Sequence, residues 1–397
     1  MSPEYSISYA IPWVILAVIY LILTIREYAT ELHIKFGLVS SIIFLLFFGL
    51  RGFVGWDYAN YYPSYIYDAQ SLFAPDSFST KMEALEWDRG YSVYMLICKT
   101  FFPDYHVFVF FSTLIDTVLL YIFLKKHSLN ISLGFLLFII FSSILEIDTL
   151  RNIKSLLICL LAIDHIINRN FIKFIVLVSI ASTFHYSAIL FLPTYFFVHK
   201  RIPQTILYFV FIIGNFFYFF SGFVFINFFE KISIYLSGIF LEKSEIYIQS
   251  GSYDIRHTLS FGFIERTITW ILLLITNKKI YEKRVWATVF INFTVIYLSC
   301  YFLLANNEVI LTRIGLLFSF SYWIIYPMIF EIVNEYKIRI FRAGVIIYFV
   351  VYCLIRSGIK TSIMDKYENI IFNTSDYEYK MIETSAAREN HNKTMLN

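Results

Sequence analysis

Long apolar runs separated by short polar turns organise this chain. Runs at 9–25, 36–50, 107–124, 131–147, 152–167, 204–226, 259–276, 286–304, 311–331 and 341–358 are close to the ~20 apolar residues that cross a bilayer as a helix. Two segments are irregular. The run 171–198 is longer than one span needs, and the short run 90–102 carries Lys99.

The polar turns then suggest an orientation. Basic clusters at Lys125-Lys126-His127, His199-Lys200-Arg201, Asn277-Lys278-Lys279 with Lys283-Arg284, and Lys337 to Arg342 all fall in the cytoplasm under the positive-inside rule. This requires the N-terminus to be outside, 90–102 to dip in without crossing, and 171–198 to be a tight hairpin turning near Phe184-His185. The alternative is one long tilted helix for 171–198, compensated by a full crossing at 90–102. The hairpin satisfies every basic loop. It predicts an all-α, polytopic transmembrane bundle of about 12 spans (roughly 11–13), with both termini outside. Outer loops fall at about 51–90 and 227–258, and a polar C-terminal tail (359–397) follows a single transmembrane domain (1–358).

Composition supports lipid as the solvent. Hydrophobic residues make up 58% of the chain and charged residues 15%, and mean hydropathy is +0.67. A soluble fold has too little interior to hide that much apolar surface. A net charge of +3 points to no nucleic-acid partner. The cysteines Cys98, Cys159, Cys300 and Cys353 are scattered through apolar runs and read as core residues. The start of the chain has no basic n-region, so no cleavable signal is expected. Metal-ligand spacing, a phosphate loop, a nucleophile elbow and a dinucleotide fingerprint are all absent from the sequence, and no cofactor is expected.

Loop 51–90 sets Arg51, Lys81 and Arg89 against Asp57, Asp68, Asp76, Glu83, Glu86 and Asp88, a net acidic balance suited to a non-cytoplasmic loop. On this topology Glu146 to Arg151, His185 and Asn306 to Arg313 share its side. That side is the expected working face.

Three clusters there invite chemistry, because ionisable groups within spans are costly. The first runs from Arg51 through Gly52, Gly55, Trp56, Asp57 and Tyr58 to Tyr62. It reads either as an interfacial aromatic belt with a snorkelling Arg, or as a guanidinium for an anionic group beside rings for a sugar. The second runs from Glu146 to Lys154. Arg151 and Lys154 share a helix face and suit a pyrophosphate at a helix start, or Arg151 pairs with Asp148. The third is Ser182 to Ala188, where His185 either bonds a neighbouring carbonyl or accepts a proton at a break in the apolar run. Weaker candidates are Arg256, His257, Glu265, Arg266 and Asp116, together with Arg313 beside Glu308.

In order, these elements resemble the EpsG-type, Wzy-like family of bacterial polysaccharide polymerases. Arg51, Gly55-Trp56-Asp57-Tyr58 and Tyr61 or Tyr62 are similar to the family's early outer loop. Asp88-Arg89-Gly90-Tyr91 is similar to its acidic-x-Gly-aromatic element, and Arg151-Asn152 to its Arg-Gln pair, with Asn in place of Gln. His185-Tyr186-Ser187-Ala188 and a late Arg313 complete the set. The resemblance implies a membrane glycosyltransferase at the outer face of the bacterial cytoplasmic membrane. It would move a growing glycan of O-antigen, capsule or exopolysaccharide type from an undecaprenyl diphosphate carrier onto a sugar hydroxyl of a lipid-linked repeat unit. A chain-length regulator is an implied partner, and no metal is expected. Catalysis would fall to Asp57, His185 and Arg151, and substrate binding to Arg51, Trp56, Tyr58, Tyr62, Asp88, Lys154, Ser187 and Arg313.

Other classes share parts of the pattern. A lipid-linked oligosaccharide flippase or transporter would have similar length and an interior cationic site, although two comparable halves with broken helices are not evident. A membrane O-acyltransferase would use a His in an apolar helix, but would draw its donor from the cytoplasm. A glycan ligase shares the polymerase's reaction class.

Overall fold

The computed structural model describes residues 4–220, 259–305 and 308–396. Among the described residues it is helical, with extended pairing confined to isolated bridges between Tyr5 and Ser362 and between Arg51 and Asn369. The expected outer loop at 227–258 and the candidates Arg256 and His257 lie outside the described residues.

The chain divides into two compact units, Met1–Tyr195 with Tyr336–Glu389, and Phe196–Glu335 with Asn390–Asn397. The first unit holds α1 (Ile7–Thr30), α2 (His33–Phe44, prolonged by a wide turn at Leu45–Gly49), the short loop helices α3 (Tyr58–Pro63) and α4 (Phe78–Glu83), α5 (Arg89–Phe101), α6 (Tyr105–His127), α7 (Ile131–Ile147), α8 (Leu150–Ile167) and α9 (Phe171–Phe184). A 3-10 stretch follows at Tyr186–Phe196. In the second unit are α10 (Gln204–Phe220), α11 (Phe261–Lys283), α12 (Ala287–Leu304), α13 (Glu308–Phe318) and α14 (Ser321–Asn334). Helix α15 (Arg339–Gly358) returns the chain to the first unit, and α16 (Tyr377–Leu396) ends it.

The helices have the inverted surface of a lipid-facing bundle. On α1, Ile7, Ile11, Ile15, Val18, Ile22 and Ile25 form a stripe at helical spacing, each at least 40% exposed, while Trp13, Leu16, Ala17 and Tyr20 are buried. In water such a stripe would be an aggregation site; in hydrocarbon it is ordinary. Among the described residues four helices (α1, α6, α12 and α15) are long and apolar enough to cross a membrane, and several shorter apolar helices accompany them. Helix length therefore does not fix the expected total of about 12. The run expected as one span over 311–331 is broken by a turn at Ser319–Phe320 between α13 and α14.

The two irregular segments have definite geometry. Helix α5 has 13 residues and so rises only about 20 Å, against about 30 Å of hydrocarbon. The ring of Phe102, just past its end, stacks on Phe111 near the start of α6, 4.1 Å between centroids. The length of α5 alone falls short of a full crossing. In the run 171–198, α9 stops at Phe184, His185 is extended, and the chain folds back until Arg169 Nη1 donates to the Tyr195 carbonyl at 2.8 Å. A straight helix would set those residues about 39 Å apart. The segment is a hairpin, and the single tilted helix is excluded.

Buried polar groups at the far end of the first unit are structural. The carboxylate of Glu27 accepts from the N–H of Ile131 (2.7 Å) and of Ser132 (2.9 Å), capping α7. Asn130 caps the same helix through Leu133 N–H.

The polar segment after 358 packs within the first unit as far as Glu389, because its nearly balanced charges pair with one another. Lys380 meets Glu368 at 2.8 Å with both side chains buried, Lys366 pairs with Glu383, and Lys360 meets Asp365 at 3.6 Å. Pairing of this kind is what allows a polar segment to be packed.

Candidate functional site

The site is built on the two-residue turn between α7 and α8. Asp148 ends α7, and its Oδ1 accepts from the backbone N–H of both Trp56 and Asp57. The close approach depends on Gly55. Its φ is +85°, and a Cβ there would lie 2.1 Å from Asp148 Oδ1. Only glycine fits both constraints. Burial raises the Asp148 carboxyl above its ordinary range, and the two N–H donors work against that shift. The loop at 51–62 and the cluster at 146–154, read separately in the sequence, are one assembly.

Arg151 opens α8 and donates from Nη1 to Asp88 Oδ2 at 2.7 Å. The same Oδ2 lies 3.3 Å from His185 Nδ1. Three short motifs thus meet on one oxygen. Asp88 reaches it because Gly90 lets the start of α5 close onto the end of α9, where a Cβ would meet Thr183 Oγ1 at 2.2 Å. His185 is held by its extended backbone at the end of α9, with its carbonyl 3.3 Å from Ser155 Oγ of α8. Burial alone would raise the Asp88 carboxyl; the His185 hydrogen bond and the Arg151 charge outweigh it and hold the pKa below the ordinary value. The side chains of Arg151 and Asp88 keep 25% and 21% of their exposure, whereas His185 keeps 4%. The guanidinium is therefore accessible and the imidazole is enclosed.

Aromatic rings fix the guanidinium further. It lies 4.5 Å from the ring centroid of Trp87, whose indole N–H donates to Ser64 Oγ at 2.7 Å. Tyr61 stacks on Trp87 at 5.0 Å. The Tyr61 hydroxyl is pushed up to about 12 by burial, against the lowering influence of Arg151. Trp87 was not singled out in the sequence; its signal was its place immediately before Asp88-Arg89-Gly90-Tyr91.

Arg51 and Lys154 take no part in this cluster. Arg51 is buried, donating to the carbonyls of Phe48 and Glu146, with Glu146 Oε1 at 3.8 Å. Thr113 Oγ1 donates to the same carboxylate at 2.8 Å. Lys154 is buried against Asp116 and donates to Ser112 Oγ at 2.7 Å. These pairs tie α2, α6, α7 and α8 together within the bundle, a use of full charge that demands pairing. Asp116, without an evident partner in the sequence, has one in Lys154.

The remaining expected residues are dispersed. Trp56, Tyr58 and Tyr62 lie under the C-terminal segment: Tyr58 hydroxyl is 3.0 Å from Thr384 Oγ1, and Tyr62 stacks on Tyr377 at 4.4 Å. Asp57 is partly exposed, and its carbonyl accepts from the N–H of Asn60 and Tyr61 at the start of α3. Ser187 is half-buried, two residues past His185. The side chain of Arg313 lies outside the described residues, although its backbone is in α13. In the second unit, Arg266 lies over Tyr301 at 4.0 Å and meets the adjacent Glu265 at 3.4 Å. Among the described residues no three His, Cys, Asp or Glu side chains gather to hold a metal ion.

The fold and site define a multi-pass, all-α membrane protein with an Arg-Asp-His cluster at one end of its larger unit, the end away from Lys125-Lys126-His127. The EpsG family model matches residues 34–370, and the chain belongs to the EpsG family. Membership places it in polysaccharide biosynthesis, in a polymerase-like role. No curated protein matches the chain, and no solved structure matches it.

Proposed function

We propose that the protein is a polysaccharide polymerase that moves a growing glycan from an undecaprenyl diphosphate carrier onto a sugar hydroxyl of a lipid-linked repeat unit, at the outer face of the bacterial cytoplasmic membrane. The observation that carries this reading is the convergence of Arg151 and His185 on Asp88 Oδ2. In the transfer, the bond from the anomeric carbon to the diphosphate oxygen breaks with its electron pair, and that carbon bonds to the acceptor oxygen. Arg151 stabilises the negative charge gathering on the departing diphosphate, as a fixed, pre-oriented cation does. The acceptor hydroxyl loses its proton to a base.

Asp57, partly exposed on the neighbouring loop, is the first candidate for that base. His185 is the second: it shares Asp88 with the cation, and a carboxylate on Nδ1 orients its ring. Arg51 and Lys154, engaged in buried pairs, hold the scaffold. A chain-length regulator would act on this polymerase from outside the chain described here.

The test is the glycan profile of cells carrying Arg151→Ala. Long chains disappear, single repeat units persist, and the amount of protein is unchanged. Normal polymer length in that variant sinks the mechanism, and repeat units trapped on the cytoplasmic face mean a flippase.

A further inference from the structure

The family match ends at residue 370, yet the segment that follows grips the most motif-rich loop of the chain. The grip begins just before that boundary. Gly52 N–H donates to the Glu368 carbonyl at 2.8 Å, and Gly55 N–H to the Met364 carbonyl at 2.9 Å. Helix α16 then lies along the loop. Tyr377 hydroxyl donates to the Ala59 carbonyl at 3.1 Å, while its ring stacks on Tyr62. One residue before the end of the described side chains, Arg388 donates from Nη2 to the Trp56 carbonyl at 2.7 Å. Its guanidinium lies 4.9 Å from the ring of Tyr58, and its Nε donates to Thr384 Oγ1 at 3.3 Å.

These contacts fix Asp57 from both sides. The peptide bond that joins it to Trp56 is held at the carbonyl by Arg388 and at the N–H by Asp148. From Asp57 the constraint passes into α3, whose Tyr61 meets Trp87 and Arg151. An unbroken set of contacts joins α16 to the Arg-Asp-His cluster.

We propose that the C-terminal segment is a strap belonging to the substrate site, with Arg388 as a positioning residue for the loop Gly55–Tyr62. The inference rests on the polymerase reading. In it, the loop presents Asp57 to the saccharide of the lipid-linked acceptor, and the strap, packed over the α3 rings, holds the loop in its binding geometry. Arg388 itself touches no substrate.

The test uses full-length protein in proteoliposomes. The substrate is the lipid-linked repeat unit extracted from cells lacking this protein, and rate is measured against its concentration. Arg388→Ala raises the apparent KM about tenfold, the loss expected of one hydrogen bond from a charged donor. The thermal unfolding temperature in detergent stays at the wild-type value, and Arg388→Lys recovers part of the loss. Thr384→Val, which removes the hydroxyl shared by Arg388 and Tyr58 without changing charge, shifts KM in the same direction by less. An unchanged KM in Arg388→Ala overturns the proposal. So does a loss of rate in all three variants that follows only the amount of folded protein. Arg151→Ala in parallel separates the two readings: if that variant still polymerises, the polymerase mechanism has failed whatever Arg388 does.

Discussion

Arg151 and Asp88 stand 63 residues apart in the chain and meet at 2.7 Å, so that a loop carboxylate becomes the hinge between a cation and a histidine. Both groups are partly solvated. Their pair therefore adds only about 1 kcal/mol to stability. Its value is in direction, since a single oxygen sets the guanidinium and the imidazole relative to each other.

Asp88→Asn separates those roles. The amide keeps the size of the side chain and loses its charge, so the protein should accumulate normally while polymer output falls by about 10²-fold, as when a group that orients and charges a site is removed. Quantifying long chains against single repeats at matched protein level checks this. Wild-type polymer in Asp88→Asn would show that the shared oxygen has no part in the reaction.

The pH behaviour of the same pair has a definite sign. The pKa of Asp88 is lowered in the folded protein. Its stabilisation is thus fully present above the unfolded value of about 3.9 and is lost as the pH falls through the folded value. Below about pH 5 the difference in unfolding temperature between wild type and Asp88→Asn should shrink progressively as the acid strengthens. A difference that stays constant down to strong acid would contradict it.

Arg151→Lys tests geometry at constant charge. Lysine supplies a point charge but neither the planar fork nor the flat contact with Trp87. Activity is expected to drop about 10- to 100-fold, with Trp87→Phe milder than Trp87→Ala because a ring remains under the guanidinium. Equal losses in the two Trp87 variants would remove the ring from the account.

Much of this arrangement was legible in the sequence. The apolar run 131–147 coincides with α7, and the conflict between a 171–198 run and the basic loops pointed to a break that the chain makes at His185. The three motifs around Asp88, Arg151 and His185 were visible as separate polar islands. Their meeting was not, because the contact depends on Gly90 closing against Thr183, a tertiary packing event without local periodicity. The partners of Lys154 and Lys380 were hidden for the same reason. Lys154 pairs with a residue 38 positions away, and Lys380 reaches across a turn to a buried glutamate. Hydropathy averages register a charge and not its neutraliser, so a self-paired segment reads only as polar.

Gly55→Ala probes the junction of loop and bundle. The added Cβ meets Asp148 Oδ1 in a backbone conformation with φ of +85°. The strain and the displaced carboxylate together should cost about 1–3 kcal/mol, read as a lower unfolding temperature in detergent. An unchanged temperature would mean that the loop is not pinned to Asp148.

The buried pair of Lys154 and Asp116 decides whether Lys154 is scaffold or substrate ligand. Removing one partner leaves a lone charge inside the bundle, so Lys154→Met alone should destabilise the protein by about 3–5 kcal/mol and reduce its amount in the membrane. Replacing both partners by apolar residues of similar volume removes that penalty, and Lys154→Met with Asp116→Leu should return protein level and polymer length together. This recovery is expected only if the ammonium never touches the diphosphate. A double variant that is abundant and folded but makes no polymer would instead assign Lys154 to the substrate and revise the scaffold role given to it here.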